Sequence, residues 1–274
     1  MLPFPAQASL SDHPPVAIPD LPSRRVRDQL AASYPDVSSR VEPEPETPLA
    51  VYLPDLRTLP PFDFHLQDLP GGWRFLRLAN TIWNSGQGPL ELIGEVNTDE
   101  SRVLVYQQIY IENGEQRKNL VGEFVRHPTH DHWHFNQFTL YELWSLQPDH
   151  SLGNVVASSD KLSYCMMDTD IVQREHPQFA PLRGYVGCNQ RRQGLSVGWG
   201  DTYHSYLDGQ TLDITGLADG FYALVSTVNP DGAVIEENYW NNSAQVYLQL
   251  SGKRIRQVTL KEIKMAGCDA SLCE

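Results

Sequence analysis

The sequence predicts an all-β protein: an antiparallel β-sandwich whose long loops carry the site residues, preceded by an extended, Pro-rich N-terminal arm. Three observations lead there. Gly, Pro, Tyr and Trp are plentiful, at 19, 20, 12 and 6 in 274 residues, while long runs of Ala, Leu, Glu and Lys are scarce. From Leu49 to about Leu250, seven or more short apolar or alternating runs are separated by turn residues and show no helical repeat, the pattern of a sandwich or a barrel. The long connection at 167–209 favours the sandwich, because it suits a Greek-key excursion with site residues on loops.

Taken in order, the arm covers residues 1–48. Ten of the 20 prolines fall there, with the acidic stretch Glu42-Pro43-Glu44-Pro45-Glu46 and one short helix expected from Arg25 to Ala32. The main β domain spans 49–250, with strands expected at 49–53, 73–83, 90–95, 102–111, 131–144, 161–166, 210–215, 221–228 and 244–250. Asn113-Gly114 signals a two-residue hairpin, and Asn229-Pro230-Asp231-Gly232 separates two β-rich runs. Residues 251–274 read as one more strand and a tail in which Cys268 and Cys273 close a small loop.

A formal net charge of −13 argues against nucleic acid, whose phosphates need basic patches. The largest basic runs are Arg191-Arg192 and Lys253-Arg254, and a cationic substrate suits the chain better. No apolar run approaches the ~20 residues that cross a bilayer, so no membrane partner is expected. Met1-Leu2-Pro3-Phe4-Pro5 lacks the basic start and apolar stretch of a secretory signal. The expected location is secreted or periplasmic with the signal already removed, and the cytoplasm is the alternative. Cys165, Cys188, Cys268 and Cys273 permit three pairings, and none forms the Cys-x-x-Cys of a thiolate zinc knuckle.

Four of the nine histidines lie within eight residues, in His127-Pro128-Thr129-His130-Asp131-His132-Trp133-His134. In a strand, the side-chain period of two throws His130, His132 and His134 onto one face, ~6.5 to 7 Å apart in succession. Two such rings converge on one ion easily, while the third needs a bend or a bulge. Three neutral imidazoles suit copper(II) or zinc(II) and leave a coordination position open, whereas calcium and magnesium want oxygen ligands. The interleaved Trp133, Phe135 and Phe138 indicate a half-buried strand rather than an exposed loop. His127 reads as a weak ligand, an orienting neighbour or a surface residue. The isolated His13, His65, His150, His176 and His204 read as structural or exposed, with His204 of added interest beside Tyr203.

The histidines are followed by a Phe-rich strand and Tyr141-Glu142-Leu143, then by Lys161-Leu162-Ser163-Tyr164-Cys165-Met166-Met167-Asp168-Thr169. Next come Gln193-Gly194-Leu195-Ser196-Val197-Gly198 and Asp201-Thr202-Tyr203. Leu76-Arg77-Leu78-Ala79-Asn80 and Asn84-Ser85-Gly86 lie upstream; Val228-Asn229-Pro230, Glu237, Tyr239 and Asn241-Asn242 lie downstream. These five colinear segments, over roughly residues 50 to 250, resemble the lysyl oxidase family. The resemblance implies copper held by His130, His132 and His134, and a lysine tyrosylquinone formed from Lys161 and Tyr203. It implies oxidative deamination of a primary amine, either a small molecule or a protein lysine side chain, by dioxygen, giving an aldehyde, hydrogen peroxide and ammonia. Asp168 and Asp201 are candidates for the base that takes the substrate proton, and equally for turn formers or orienting groups.

The chain departs from the animal members in its cysteines: Thr129 and Asp170 stand where the family often has two more, so Cys165 and Cys188 are free to pair with each other. That smaller set weakens a role in the extracellular matrix and suggests a distant, microbial homologue. Two other readings compete. One is a non-catalytic three-histidine metal-binding β-sandwich module; the other is a zinc hydrolase, for which Asp131 and Glu142 are the nearest candidate bases. The oligomeric state and the preferred amine are not encoded in any motif.

Overall fold

The computed structural model describes residues 48–96, 102–126, 132–160 and 162–267. The expected arm up to residue 47 with its short helix, together with His127, His130, Asp131, Lys161, Cys268 and Cys273, lies outside the described residues.

In chain order, the strands are β1 (Val51–Tyr52), β2 (Leu56–Thr58), β3 (Phe62–Asp68), β4 (Arg74–Asn84), β5 (Leu90–Glu95) and β6 (Arg102–Ile111). There follow β7 (Gln116–Arg126), β8 (Trp133–Leu146), β9 (Leu152–Ser158), β10 (Leu162–Tyr164), β11 (Asp170–Ile171) and β12 (Arg192–Leu195). The last are β13 (Trp199–Tyr203), β14 (Thr211–Asp213), β15 (Gly220–Val228), β16 (Ser243–Ser251) and β17 (Arg254–Val258), before helix α1 (Leu260–Ala266). They form two antiparallel sheets. The larger runs β12-β5-β6-β7-β8-β15-β16-β17, with β1 beside β6 and both β9 and β10 beside β8; the smaller runs β11-β13-β4-β14, with β2 and β3 also on β4.

The sheets share two apolar clusters, and β4 and β8 supply residues to both. One holds Ile82, Leu90, Val105, Phe124, Phe135, Phe138 and Tyr164; the other holds Leu76, Leu78, Tyr141, Leu143, Leu224 and Leu248. Period-two alternation explains Leu76 and Leu78 on β4, and Tyr141 and Leu143 on β8. Phe135 and Phe138 break that period, yet both are buried. Gln137 between them takes a left-handed φ of 55°, and β8 advances from Phe135 to Thr139 while β10 moves only from Tyr164 to Leu162. This bulge turns two out-of-phase aromatics into the same core.

Each expected strand appears, and β17 occupies the expected C-terminal position. Strands β2, β3, β7 and β9 come in addition to those expected, and three further details differ. The Asn113-Gly114 hairpin is not a two-residue turn, because only Gly114 has positive φ, at 85°, while Gly114 N–H donates to Ile111 C=O and Ile111 N–H to Glu115 C=O. That is a type I turn followed by a glycine bulge. The long connection at 167–209 contains β11, β12 and β13 and links the two sheets, so it is less loop-like than expected. After β17 the chain forms α1 in place of a plain tail: Thr259 accepts from Glu262 N–H while the Glu262 carboxylate accepts from Thr259 N–H, a capping box. Close approach also fixes one glycine. A Cβ on Gly194 of β12 would stand 2.1 Å from the Leu90 carbonyl on paired β5.

Candidate active site

His132 sits in the bend just before β8, and His134 is the second residue of that strand, buried at 6% exposure. Their Nε2 atoms approach to 2.7 Å, with ring centroids 4.7 Å apart. The bend thus brings the rings much closer than the regular strand spacing expected from sequence. Two imidazoles bound side by side to one metal at ~2.0–2.1 Å place their nitrogens ~2.9–3.4 Å apart, so this pair is nearly in a chelating arrangement. The same contact accommodates a hydrogen bond in which one Nε2–H donates to the other ring. His134 Nδ1 lies 3.1 Å from Ser163 Oγ on β10, which fixes the ring with Nε2 presented to its partner. A nitrogen donor pair held in this way fits copper or zinc.

Tyr203 ends β13 and therefore stands on a strand end rather than on a long loop. Its hydroxyl accepts from Cys165 N–H at 2.8 Å and donates to Cys165 C=O at 3.2 Å. Its ring lies on Tyr164, with centroids 4.0 Å apart and planes tilted by 32°. Burial, then the nearby Asp201 carboxyl and Tyr164, hold the Tyr203 phenol well above its ordinary pKa, so it is neutral. Tyr164 is fixed in turn: its hydroxyl is 2.5 Å from that of Tyr141, Gln210 Nε2 donates to it at 3.2 Å, and Tyr141 donates to Gln210 Oε1 at 2.9 Å.

The two candidate bases differ sharply. Asp168 is fully buried, and its carboxylate accepts from Gly184 N–H, Tyr185 N–H, Ser196 N–H and Ser196 Oγ at 2.8, 3.2, 2.8 and 2.7 Å. Those bonds spend its acceptor capacity on tying two loop segments together. Asp201 is also buried, on the face of β13 that carries Tyr203 two residues on, but its Oδ2 has no hydrogen-bond partner among the described residues. Burial pushes its carboxyl well above the ordinary range, against the downward pull of Met167 N–H and the Thr169 hydroxyl. Glu142, offered as a zinc-hydrolase base, lies eight residues from His134 along β8, ~25 Å at ~3.3 Å per residue, and is out of reach.

A closed set of links joins the histidine segment to the tyrosine segment. Cys165 and Cys188 form a disulfide, with Cα atoms 5.3 Å apart. Trp133, between the two histidines, donates its N–H to Cys188 C=O at 3.0 Å, and its own C=O accepts from Gln193 Nε2 at 2.8 Å. Gln193 Oε1 accepts from Met166 N–H at 3.2 Å, next to the Cys165 peptide that holds Tyr203. Ser163, Tyr164 and Gln193 stand inside the sequence motifs, but their contacts are not legible there, since each acts across strands that only the fold brings together.

The solitary histidines behave as the sequence suggests where they are described. His65 is exposed and 2.7 Å from Asp63, His176 Nδ1 accepts from Gln178 N–H, and His204 stacks on Tyr206 rather than on Tyr203.

A family model described as lysyl oxidase matches residues 93–260. Protein-lysine 6-oxidase of Sus scrofa is 35% identical over 127 residues, covering 46% of this chain and 47% of the relative. Lysyl oxidase homolog 1 of Homo sapiens is 32% identical over 139 residues, covering 50% of this chain and 22% of the relative. The matched part is thus less than half the length of these curated relatives.

Proposed function

The chain belongs to the lysyl oxidase family, and from that premise we propose that it is a copper- and quinone-dependent amine oxidase. Its substrate is a primary amine, either a small amine or a peptidyl lysine, which with dioxygen and water gives an aldehyde, hydrogen peroxide and ammonia. His130, His132 and His134 would hold the copper, and Lys161 and Tyr203 would form the lysine tyrosylquinone. Together these groups would accept two electrons from the amine and pass them to dioxygen, the terminal oxidant.

The observation that carries this reading is the 2.7 Å approach of the His132 and His134 Nε2 atoms on a segment tied to the one that holds Tyr203. The remaining roles belong to the chain's own residues. Ser163 orients His134, the Cys165 peptide anchors the Tyr203 hydroxyl, and the Tyr164 ring covers Tyr203 and keeps water from that face. Asp201, whose carboxyl burial pushes well above its ordinary pKa and whose Oδ2 has no hydrogen-bond partner among the described residues, is the carboxyl left to carry a proton near Tyr203, since Asp168 is spent on backbone N–H groups. A net charge of −13 favours the approach of ammonium substrates. The Cys165–Cys188 disulfide supports a secreted or periplasmic location, where such bonds persist.

The test is a tryptic digest of copper-loaded, air-exposed full-length chain. Peptides joined through Lys161 and Tyr203 are expected, and Tyr203→Phe should abolish both the joined peptide and amine oxidation while leaving copper content unchanged. Unmodified peptides from protein shown to contain copper would overturn the oxidase reading in favour of a metal-binding module.

A further inference from the structure

The chain of links through Trp133 has a geometry that plain strand pairing does not require. Trp133 is the residue between His132 and His134, so whatever holds its peptide groups sets where both imidazoles stand. Its N–H and C=O are both held from segment 188–193, by Cys188 C=O and by Gln193 Nε2. The same segment reaches the tyrosine side twice: covalently through Cys188 to Cys165, and through Gln193 Oε1 to Met166 N–H. Cys165 in turn holds the Tyr203 hydroxyl by both of its peptide groups. The Gln193 side chain is fully buried, and its amide also donates to Asn189 C=O at 3.1 Å, so the acceptor and both donors of one amide are used. A side chain of another type at this position breaks at least one arm of the bridge.

We propose that Gln193, acting with the Cys165–Cys188 disulfide, is a positioning residue that sets the Tyr203 ring relative to the His132–His134 pair, so that modification of Tyr203 depends on it. This rests on the oxidase reading above. Joining Tyr203 to Lys161 consumes two molecules of dioxygen. The ring first gains one oxygen and loses two hydrogens, the other oxygen leaving as water. The Lys161 nitrogen then bonds a ring carbon, and the joined pair loses two more hydrogens to the second dioxygen, which leaves as hydrogen peroxide. Nothing in that chemistry uses Gln193 as a reactant. Its contribution is distance, and a displacement of about 1 Å at a reacting pair costs on the order of 100-fold in rate.

The experiment compares wild type with Gln193→Met, which keeps length and volume but makes none of the amide's three hydrogen bonds, and with the Cys165→Ser/Cys188→Ser double variant. Each is loaded with saturating copper well below its melting temperature. The appearance of the Lys161–Tyr203 peptide is followed by mass spectrometry alongside bound copper and the melting temperature. Gln193→Met should retain copper and form the joined peptide at least tenfold more slowly, and the double variant should do the same. Should Gln193→Met fail to fold, the double variant decides alone. Joined peptide formed within twofold of the wild-type rate, even with a lowered melting temperature, would show that the bridge only stabilises the fold and would overturn the positioning role. Absence of the joined peptide from wild type itself would instead overturn the oxidase reading, and this inference with it.

Discussion

The loop staple around Asp168 and the strand around Asp201 place two carboxyl groups in one neighbourhood and treat them in opposite ways. Asp168 receives four hydrogen bonds, three of them from backbone N–H groups of segments 184–185 and 196. It is a knot of hydrogen bonds that ties separate segments of the long connection together. Asp201 sits in regular strand with an Oδ2 that has no hydrogen-bond partner among the described residues, and burial outweighs what little stabilises its charge. The difference teaches that burial alone does not mark a proton-transfer group. What separates the two is whether the surrounding donors have already claimed the oxygens.

The comparison breaks most visibly through Asp168. Asp168→Ala strands the N–H groups of Gly184, Tyr185 and Ser196, each costly to bury unpaired, so a loss of about 4 kcal/mol is expected. A urea titration checks it, and a loss under about 1 kcal/mol would mean that the staple is dispensable. The second test exploits the raised pKa of Asp201. Its native pKa lies above its unfolded value, so the native state binds the proton more tightly. The stability this contributes is fully present below the unfolded pKa of ~3.9 and is lost as pH rises through the native one, by at most ~1.4 kcal/mol per pH unit. Asp201→Asn should remove that slope, so its advantage over wild type grows from pH 4 toward alkaline pH. Parallel stability curves for the two proteins would refute the assignment of Asp201 as a buried carboxyl with a raised pKa.

The same contrast explains what the sequence could reveal. The nine expected strands were visible because their apolar alternation is local, as in Leu76 and Leu78 of β4. β3, β7 and β9 escape the pattern because most of their residues are exposed, as in Gln116-Arg117-Lys118 of β7; β2 and β11 are only three and two residues long; and glycines interrupt β12 and β13 where backbones approach closely, as at Gly194. Thr259-x-x-Glu262 fits the capping-box pattern that starts α1, a local signal that the expectation of a plain tail overlooks. In the site, His132, His134 and Tyr203 were legible through dense spacing and motif order, and the structure describes all three; His130 and Lys161 fall outside the described residues. The functions of Asp168, Gln193 and Ser163 depend chiefly on contacts spanning 16 to 60 positions in sequence, and no local pattern encodes such contacts.

The smallest expected effect tests which part of the Tyr203 pocket is held by polar groups and which by shape. Tyr164 offers Tyr203 a ring, not a hydroxyl: the Tyr203 oxygen is bound to the Cys165 peptide, while the Tyr164 hydroxyl points to Tyr141 and Gln210. Tyr164→Phe therefore deletes two buried hydrogen bonds, with Tyr141 and from Gln210 Nε2, but keeps the 4.0 Å ring contact, and Tyr141 can still donate to Gln210 Oε1. A loss of about 1 kcal/mol in urea unfolding is expected, with formation of the Lys161–Tyr203 peptide unchanged. If joined peptide falls with the hydroxyl, the buried Tyr141–Tyr164–Gln210 chain reaches the chemistry of Tyr203, and the pocket's polar groups beyond Asp201 must be counted among those that tune it.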